Sequence, residues 1–447
     1  MSKIFGTDGI RGIANLDLTC ELAMKVGRAT ALVLSKFGGK VMIARDTRIS
    51  SSFLENAIAS GVCSAGADSI MLGVVPTATV AFLVKYAKAD AGIMISASHN
   101  SFEFNGIKIF DSNGFKLSNE IEEKIENLLM NNFENHNLSI CEYLGRVYNE
   151  NNLIEKYVKN INSKILENKN LSVVFDCANG ASCSHADKIF ENKINSEFIF
   201  NSPDGININD KCGSTNLDSL SNFVVRNKFD LGIAFDGDAD RCLAVDETGK
   251  IIDGDEIMAV CALDMSKKGK LIKNSVVGTL ISNMGLEEFL RSKNIKFLRS
   301  GIGDRCVFEE MIKNNFVLGG EQSGHLIFLE HSTTGDGMLT AAMLINVITE
   351  RKIKASEIKK LFEKTPQISR NIKINPDEDI LENPDFKIIL EKAKEMLKNN
   401  GRIFVRKSGT EPLLRIMYES KDLNKLKEAE KIIDCIFNLS KNVNKNV

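Results

Sequence analysis

The feature that most constrains this chain is a cluster of three aspartates directly after an apolar segment. Asp236, Asp238 and Asp240 alternate with small residues, and the run Leu-Gly-Ile-Ala-Phe precedes them. Carboxylates this close together repel one another strongly unless a cation neutralises them. Oxygen ligands alone suit a hard cation such as Mg²⁺ or Ca²⁺, and Arg241 adds a group that binds anions. The sequence therefore predicts a buried strand that ends in a metal site for phosphate chemistry.

Two alternatives fit part of this pattern. An acidic turn without any ligand would also contain aspartates. A calcium-binding EF-hand loop has acidic groups at positions one, three, five and twelve, which the three aspartates and Glu247 would fill. That loop also needs glycine at its sixth position, where Arg241 stands, and a helix on each side. The flanking segments 231–235 and 242–245 are typical of strands, so the EF-hand is excluded.

Two further loops follow strand-like segments and carry polar groups. The sequence Ser-Ala-Ser-His-Asn at 96–100 follows the apolar run 91–95, and Asn-Gly-Ile-Lys ends at Lys108. Open α/β folds bind ligands at such carboxyl ends of strands. The sequence Gly-Gly-Glu-Gln-Ser-Gly-His at 319–325 follows the apolar run 316–318 and offers donors and acceptors that suit sugar hydroxyls. Taken alone, the first is also compatible with a plain turn and the second with a glycine-rich hairpin.

A basic loop near the carboxyl terminus predicts a phosphate clamp. The segment Arg-Lys-Ser-Gly-Thr-Glu-Pro at 406–412 joins strand-like 402–405 to strand-like 414–418, with Arg415 in the second strand. Arginine forks, hydroxyls and exposed backbone N–H groups all donate to phosphate oxygens. A solvated basic turn is the alternative.

Composition indicates an ordinary globular protein. The net charge is −2, from 57 basic and 59 acidic residues, which gives no electrostatic reason to expect nucleic acid or a membrane surface as partner. The first residues lack a secretory signal pattern, and no apolar run approaches the length of a membrane span. The ten cysteines contain no Cys-x-x-Cys pair, so we expect free thiols in a reducing compartment. These features favour a cytoplasmic protein.

The order of helix-like and strand-like segments predicts an α/β fold. A length of 447 residues suggests about three domains. Strand-like and helix-like segments alternate through the first third, which is typical of βαβ units and a largely parallel sheet. Ser52 and Glu55 predict a capping box at the start of one of these helices. The last part, with a hairpin around 406–411 and a charged helix over 424–437, predicts a small α+β domain.

The four loops, in this order and spacing, resemble those of the α-D-phosphohexomutase family. The opening Phe-Gly-Thr-Asp-Gly-Ile-Arg-Gly at 5–12 is similar to the family's amino-terminal signature. Within the family, that opening, Gly-Glu-Gln-Ser-Gly-His at 320–325 and Thr-Thr-Gly-Asp-Gly at 333–337 favour the branch that acts on glucosamine phosphates. The resemblance runs from Lys3 to about Tyr418.

The resemblance implies a four-domain architecture around a central cleft. Three similar α/β domains with mixed, largely parallel sheets precede a C-terminal α+β domain. The expected boundaries are 1–148 for the domain with the catalytic serine loop, 149–248 for the metal loop, 249–364 for the sugar loop and 365–447 for the phosphate loop.

The resemblance also implies the roles of individual residues. For catalysis it indicates Ser98, Arg11, Lys108, Arg241 and His325; for substrate binding Glu321, Ser323, Arg406, Ser408, Gly409, Thr410 and Arg415; and for the metal Ser98, Asp236, Asp238 and Asp240. Ser98 would carry a phosphoryl group, and the lysine and histidine are the candidate acid and base. The lysine is equally compatible with a counter-charge for phosphate, and the histidine with orienting Glu321. Ser101 stands where the family usually has proline, which puts the rigidity of the serine loop in doubt.

The implied activity is a mutase that interconverts glucosamine 6-phosphate and glucosamine 1-phosphate. It would use one Mg²⁺ per subunit and a glucosamine or glucose 1,6-bisphosphate intermediate. Its binding partner would be a small sugar phosphate, and the protein would be a monomer or a homodimer. A mutase of glucose or mannose phosphates is the main alternative. A metal-dependent sugar phosphatase has little use for the remote clamp, and a catalytically inactive binding protein would not need the serine and the aspartates.

Overall fold

The structure is a computed structural model. It describes residues 4–6, 8–133, 139–375, 380–398, 400–407 and 412–443, with side chains described as far as residue 434. The chain divides into two compact units. Unit 1 comprises Met1–Thr279 with Lys293–Leu361, and unit 2 comprises Leu280–Ser292 with Phe362–Val447.

The first sheet has the strand order β1-β5-β4-β2-β3-β6 and belongs to unit 1. Its elements and the helices between them are β1 (Ile10–Ile13), α1 (Cys20–Leu34), β2 (Lys40–Arg45), α2 (Ser51–Ser64), β3 (Asp68–Val74), α3 (Thr77–Tyr86), β4 (Ala91–Ile95), β5 (Phe104–Asp111), α4 (Asn119–Met130) and β6 (Val147–Asn149). β4 pairs parallel with β2 and antiparallel with β5, so the sheet is mixed. Every residue of β4 is buried, as expected for an apolar strand inside a sheet covered on both faces.

The second sheet has the order β11-β10-β9-β7-β8. Its elements are α5 (Ile154–Asn162), β7 (Asn168–Asp176), α6 (Ala186–Phe190), β8 (Ile194–Ile199), α7 (Asp218–Asn227), β9 (Leu231–Phe235), β10 (Cys242–Asp246) and β11 (Ile251–Ile252). β9 is fully buried, parallel to β7 and antiparallel to β10. The aspartate cluster occupies the connection between β9 and β10, so strands flank it as predicted.

The third sheet has the order β13-β12-β14-β15, with parallel pairs except at β15. The segment contains α8 (Gly254–Lys267), β12 (Ser275–Thr279), α9 (Met284–Ser292), β13 (Lys296–Ser300), α10 (Asp304–Asn314), β14 (Leu318–Gly320), β15 (Leu326–Phe328) and α11 (Gly337–Arg351). α9 belongs to unit 2, whereas the sheet belongs to unit 1.

The fourth sheet, in unit 2, is antiparallel with the order β16-β18-β17. Its segment contains β16 (Gln367–Lys373), α12 (Pro384–Leu397), β17 (Gly401–Lys407), β18 (Leu413–Ser420) and α13 (Leu423–Val443). Both helices bury apolar side chains against this sheet around Phe386, Tyr418 and Ile433. The predicted fold class is confirmed in these elements: mixed α/β sheets are followed by an α+β part. None of the helices among the described residues is both long and apolar enough to cross a bilayer.

Two local predictions are wrong. The capping box at Ser52 does not form, because the N-cap of α2 is Ser50, two residues earlier, and Ser50 makes no side-chain capping bond. Glu55 instead accepts a hydrogen bond from Nε of Arg45 at 2.9 Å. The strand expected over 316–318 starts only at Leu318 and continues through Gly320, since the residues before it form the turn that ends α10.

Candidate functional site

The three aspartates converge after β9, as the sequence predicts. Asp236, Asp238 and Asp240 are all buried, and one carboxylate oxygen from each lies within 4.8 Å of the others. Burial raises the pKa of Asp236 above its usual range, and the charges of its two neighbours raise it further. A divalent cation among the three carboxylates would relieve this repulsion.

The described residues fit a hard cation at this cluster. Oδ1 of Asp238 is buried and has no hydrogen-bond partner among the described residues. Its other oxygen accepts from the hydroxyl of Thr77 at 2.5 Å and from Nζ of Lys108 at 2.8 Å. A buried carboxylate oxygen without a partner is costly, and an oxygen-only set matches the ligands of Mg²⁺. The three aspartates, with Ser98 as a fourth ligand, would hold such an ion.

Ser98 lies beside the aspartates on the loop that leaves β4. Its hydroxyl donates to Oδ2 of Asp236 at 2.5 Å, and its side chain is buried. The two loops approach closely because Gly237 has no side chain: a Cβ there would lie 2.5 Å from the carbonyl oxygen of Ser98. The predicted juxtaposition of Ser98 and the aspartate cluster is therefore present.

A buried arginine that sequence reasoning missed holds the serine loop. The guanidinium of Arg48 donates to the carbonyl oxygens of Ser98 at 3.0 Å, Asn100 at 2.8 Å and Ser101. Asn209 donates to the first two of these carbonyls at 2.9 and 3.0 Å. These contacts fix the backbone of the loop from Ser98 to Ser101. A single sequence does not reveal such a contact, because Arg48 is 50 residues from Ser98 along the chain.

Two arginines lie near the serine loop. Nη1 of Arg11 donates to the carbonyl oxygen of Ala97 at 3.3 Å, and the backbone N–H of Arg241 donates to Oδ1 of Asp236 at 3.1 Å. Burial, together with the charges of Arg241 and Arg11, lowers the pKa of His99 to about 4. The positive charge of both arginines therefore reaches the loop that contains Ser98.

Lys108 is surrounded by carboxylates. Its Nζ contacts Oδ2 of Asp238 at 2.8 Å, Oδ2 of Asp240 at 2.9 Å and Oδ2 of Asp8 at 3.4 Å. Burial alone would lower the pKa of Lys108, but these carboxylates outweigh it and hold that pKa well above its ordinary value. In this arrangement Lys108 is a cation that offsets the charge of the surrounding carboxylates.

The sugar-loop residues follow β14. The backbone N–H of Gly303 donates to Oε1 of Glu321 at 3.1 Å, and burial raises the pKa of this glutamate. Nδ1 of His325 lies 3.6 Å from Oδ1 of Asp240. His325 and Lys108 therefore both lie beside Asp240. Ser323 is half-buried in the turn between β14 and β15. The structure thus brings Glu321 and His325 to the region of the aspartate cluster within unit 1.

The arginines of the predicted phosphate clamp lie in unit 2. Arg406 on β17 and Arg415 on β18 are directly opposite each other in the antiparallel pair. Ser408, Gly409 and Thr410 lie outside the described residues. The two arginines therefore stand at the same end of a hairpin, as the sequence predicts.

Family models match four consecutive parts of the chain. They are described as phosphoglucomutase/phosphomannomutase alpha/beta/alpha domain I over residues 2–136, domain II over 152–249, domain III over 253–365 and the C-terminal domain over 344–434. Together they span nearly the whole sequence. The chain belongs to the phosphoglucomutase/phosphomannomutase family. The family recognised from the sequence is thereby confirmed.

Relatives agree with the predicted branch of the family. A phosphoglucosamine mutase of Acetivibrio thermocellus is 47% identical over 432 residues, which cover 94% of this chain and 96% of the relative. Among solved structures, a family member from Burkholderia thailandensis has a TM-score of 0.82 at 22% identity, with 98% of each chain covered. An Aspergillus fumigatus N-acetylphosphoglucosamine mutase in complex with GlcNAc-6P and magnesium has a TM-score of 0.68 at 16% identity, with 97% of this chain and 95% of that chain covered. These structures share the fold.

Proposed function

We propose that this protein is a phosphoglucosamine mutase, which interconverts glucosamine 6-phosphate and glucosamine 1-phosphate and so feeds the synthesis of UDP-N-acetylglucosamine and cell-wall precursors. The observation that carries the proposal is the 2.5 Å contact between Ser98 and Asp236 inside a buried carboxylate cluster. A serine at a metal site, in a chain 42–47% identical to phosphoglucosamine mutases, supports a phosphoserine enzyme.

The resting enzyme would carry the phosphoryl group on Ser98. The 1-hydroxyl oxygen of glucosamine 6-phosphate attacks that phosphorus, the bond from phosphorus to the serine oxygen breaks, and the product is the 1,6-bisphosphate. After the intermediate turns round, the serine hydroxyl attacks the 6-phosphoryl group and glucosamine 1-phosphate leaves. Each half-step moves one proton from the attacking hydroxyl to the oxygen that leaves.

The residues around Ser98 supply position and charge. Phosphoryl transfer passes through a loose, in-line transition state, so catalysis depends mainly on alignment and neutralisation of charge. Arg11 and Arg241 offer positive charge beside Ser98, and Lys108 and His325 are the candidate groups for the proton. Mg²⁺ bound at the three aspartates would supply electrostatic stabilisation of the transferring phosphoryl group.

The substrate would be held at both ends. Glu321 and Ser323 would contact sugar hydroxyls, and the clamp would bind the phosphate that is not being transferred, through Arg406, Ser408, Gly409, Thr410 and Arg415. Arg406 and Arg415 face each other across β17 and β18, which suits two-sided donation to phosphate oxygens.

The remaining organisation is proposed with the function. The four family models support domains at 1–148, 149–248, 249–364 and 365–447. Two strands depart from these boundaries, because β6 (Val147–Asn149) belongs to the first sheet and β11 (Ile251–Ile252) to the second. The proposal also includes one Mg²⁺ per subunit and glucosamine or glucose 1,6-bisphosphate as activating intermediate. We further propose a cytoplasmic location and a monomer or homodimer.

A coupled assay tests the substrate assignment. The purified protein, first phosphorylated with the 1,6-bisphosphate, is given the 6-phosphates of glucosamine, glucose and mannose in separate reactions with Mg²⁺. We expect the highest kcat/KM with glucosamine 6-phosphate. Equal kcat/KM for the glucose substrate would contradict the glucosamine assignment, and release of inorganic phosphate in place of the 1-phosphate would favour a phosphatase.

A further inference from the structure

A closed ring of acidic and basic side chains lies beside the aspartate cluster, and we call it the charge ring. Its members, in order, are Asp240, Lys108, Asp8, Lys116, Asp304 and His325. Acidic and basic groups alternate all the way round. The members come from three parts of the chain in unit 1: the segment of the first sheet, the metal loop and the segment of the third sheet.

Consecutive members are in contact on one side of the ring. Oδ2 of Asp240 lies 2.9 Å from Nζ of Lys108, which lies 3.4 Å from Oδ2 of Asp8. Oδ1 of Asp8 lies 2.5 Å from Nζ of Lys116. Asp8 therefore bridges the two lysines, one at the aspartate cluster and one away from it.

The other side closes through the histidine. Nζ of Lys116 pairs with Oδ2 of Asp304, and that oxygen lies 3.7 Å from Nε2 of His325. Nδ1 of the same imidazole lies 3.6 Å from Oδ1 of Asp240. Both imidazole contacts are longer than hydrogen bonds, so the two carboxylates act on the ring of His325 mainly through charge.

Lys116 is held in place more firmly than a surface lysine. It follows a tight turn in which Oδ1 of Asp111 accepts from the backbone N–H groups of Asn113 and Phe115 at 2.9 and 3.0 Å. Gly114 in this turn has φ of 77°, and a Cβ there would lie 2.3 Å from the carbonyl oxygen of Ala81. The Lys116 side chain is 21% exposed. The backbone thus fixes the point from which this lysine reaches the charge ring.

We propose that Lys116, with Asp8 and Asp304, is a positioning residue that fixes Lys108 and His325 on either side of Asp240. Lys116 contacts neither candidate proton-transfer group, so it acts through the two carboxylates. Without the ammonium group between them, Asp8 and Asp304 would repel each other more strongly, although Arg11 and Lys108 still contact Asp8. They would move apart, and Lys108 and His325 would each lose one support. Lys108 would keep its contacts with Asp238 and Asp240, and Nε2 of His325 would still accept from the backbone N–H of Gly335. This inference rests on the proposed function, because it assigns these two groups to the same transfer.

The test compares three lysine variants by steady-state kinetics with glucosamine 6-phosphate. Lys116→Met removes the charge and keeps the stem, Lys116→Arg keeps the charge, and Lys124→Met makes the same change at an exposed lysine of α4. We expect Lys116→Met to lower kcat by about 10- to 100-fold with little change in KM, because a small misplacement of reacting groups has effects of this size. Lys116→Arg should restore most of the loss, and Lys124→Met should match the parent.

Three results would overturn the positioning role. They are a kcat for Lys116→Met within about twofold of the parent, an equal loss for Lys124→Met, and no recovery with Lys116→Arg. If thermal melting shows that Lys116→Met is unfolded, Asp304→Asn, which keeps the side-chain shape, is measured against the same criteria. A parent protein without mutase turnover would instead contradict the proposed function, so the two failures are distinguishable.

Discussion

At Ser98 the backbone is in the left-handed region, with φ of 53°. A residue with a side chain occupies this region at a cost, and the surrounding structure must hold it there. Arg48 and Asn209 both donate to the Ser98 carbonyl oxygen. Arg48 is itself fully buried and paired with Asp46 at 2.8 Å. The position of the proposed phosphorylated hydroxyl thus depends on a side chain fifty residues away in sequence.

Replacing Arg48 by methionine should therefore impair both stability and turnover. It leaves Asp46 as a buried charge without its cationic partner, although the hydroxyls of Ser51 and Ser96 still donate to it. We expect the free energy of unfolding to fall by about 3–5 kcal/mol. In the fraction that remains folded, kcat should fall about 10- to 100-fold because the serine loop is no longer fixed. Denaturant melts and initial rates measure the two effects. The control is Arg226→Met, at an exposed position on α7; full activity in folded Arg48→Met would contradict the role of Arg48.

The buried His185 makes the free energy of unfolding fall as the pH is lowered. Burial lowers its pKa to about 4, whereas in an unfolded chain a histidine has a pKa of about 6.5. As pH falls, the unfolded chain takes up the proton first. The stability contributed by the neutral ring is therefore complete above pH ~6.5 and is lost between pH ~6.5 and ~4, by about 3 kcal/mol in all.

His185→Gln should remove this part of the pH dependence. Denaturant melts of parent and variant from pH 8 to pH 4 measure it, and the difference at pH 8 reports the change in packing alone. We expect the parent to lose more stability on acidification than the variant. Parallel curves for the two proteins would show that His185 does not titrate in this way.

Among the elements, the loop after β7 packs against the metal loop, residues 236–241. The backbone N–H of Ala181 donates to the carbonyl oxygen of Gly237 at 2.7 Å. A Cβ on Gly180 would lie only 2.3 Å from that same oxygen. The two loops follow the neighbouring parallel strands β7 and β9. Because they are in close contact, a shift of the loop after β7 would also shift the loop that contains the aspartates.

Gly180→Ala should therefore weaken metal binding. We expect the affinity for Mg²⁺ to fall about 10-fold or more, as is typical when groups that support metal ligands are displaced. Calorimetric titration with Mg²⁺ measures this without any turnover. Gly269→Ala is the control: a Cβ there meets no atom within 4 Å, and its φ of 67° makes it a strained glycine substitution that does not contact the metal loop. Equal affinities for the parent and Gly180→Ala would contradict the coupling of the two loops.

Strands were predictable from the sequence where a buried apolar run ends in a polar loop. This pattern located β4 and β9 and, with them, Ser98 and the aspartates. The Ser52 capping box was wrong because Glu55 has a tertiary partner, Arg45, that local spacing does not reveal. Tertiary contacts of this kind override local signals.

The supporting residues of the site were not predictable for a related reason. Asp8, Lys116 and Asp304 meet only in the folded unit, and each is an ordinary charged residue in its own segment. Arg48 lies beside Asp46 in sequence and looks like part of a polar turn. Side chains that act through other side chains have no local pattern, whereas ligands on one short loop do.

At the scale of the whole molecule, the proposed reaction needs two phosphate sites, one at Ser98 in unit 1 and one at the arginines of unit 2. Arg415→Ala should weaken the second site alone. We expect KM for glucosamine 6-phosphate to rise about 10- to 100-fold, the effect of losing a hydrogen bond to a charged group. Phosphorylation of Ser98 should persist.

Steady-state kinetics and intact mass together check the Arg415 prediction. Arg291→Ala is the matched control, because Arg291 also belongs to unit 2 and is 76% exposed on α9. An unchanged KM for Arg415→Ala, or an equal rise for Arg291→Ala, would contradict the clamp.

The central claim is that Ser98 carries the phosphoryl group beside a cation held by Asp236, Asp238 and Asp240. Intact-mass spectrometry of the dephosphorylated protein, before and after incubation with glucosamine 1,6-bisphosphate and Mg²⁺, tests it most directly. The parent should gain the mass of a single phosphoryl group and Ser98→Ala should gain none. A parent whose mass does not change, or a Ser98→Ala protein that gains the same mass, would contradict the claim.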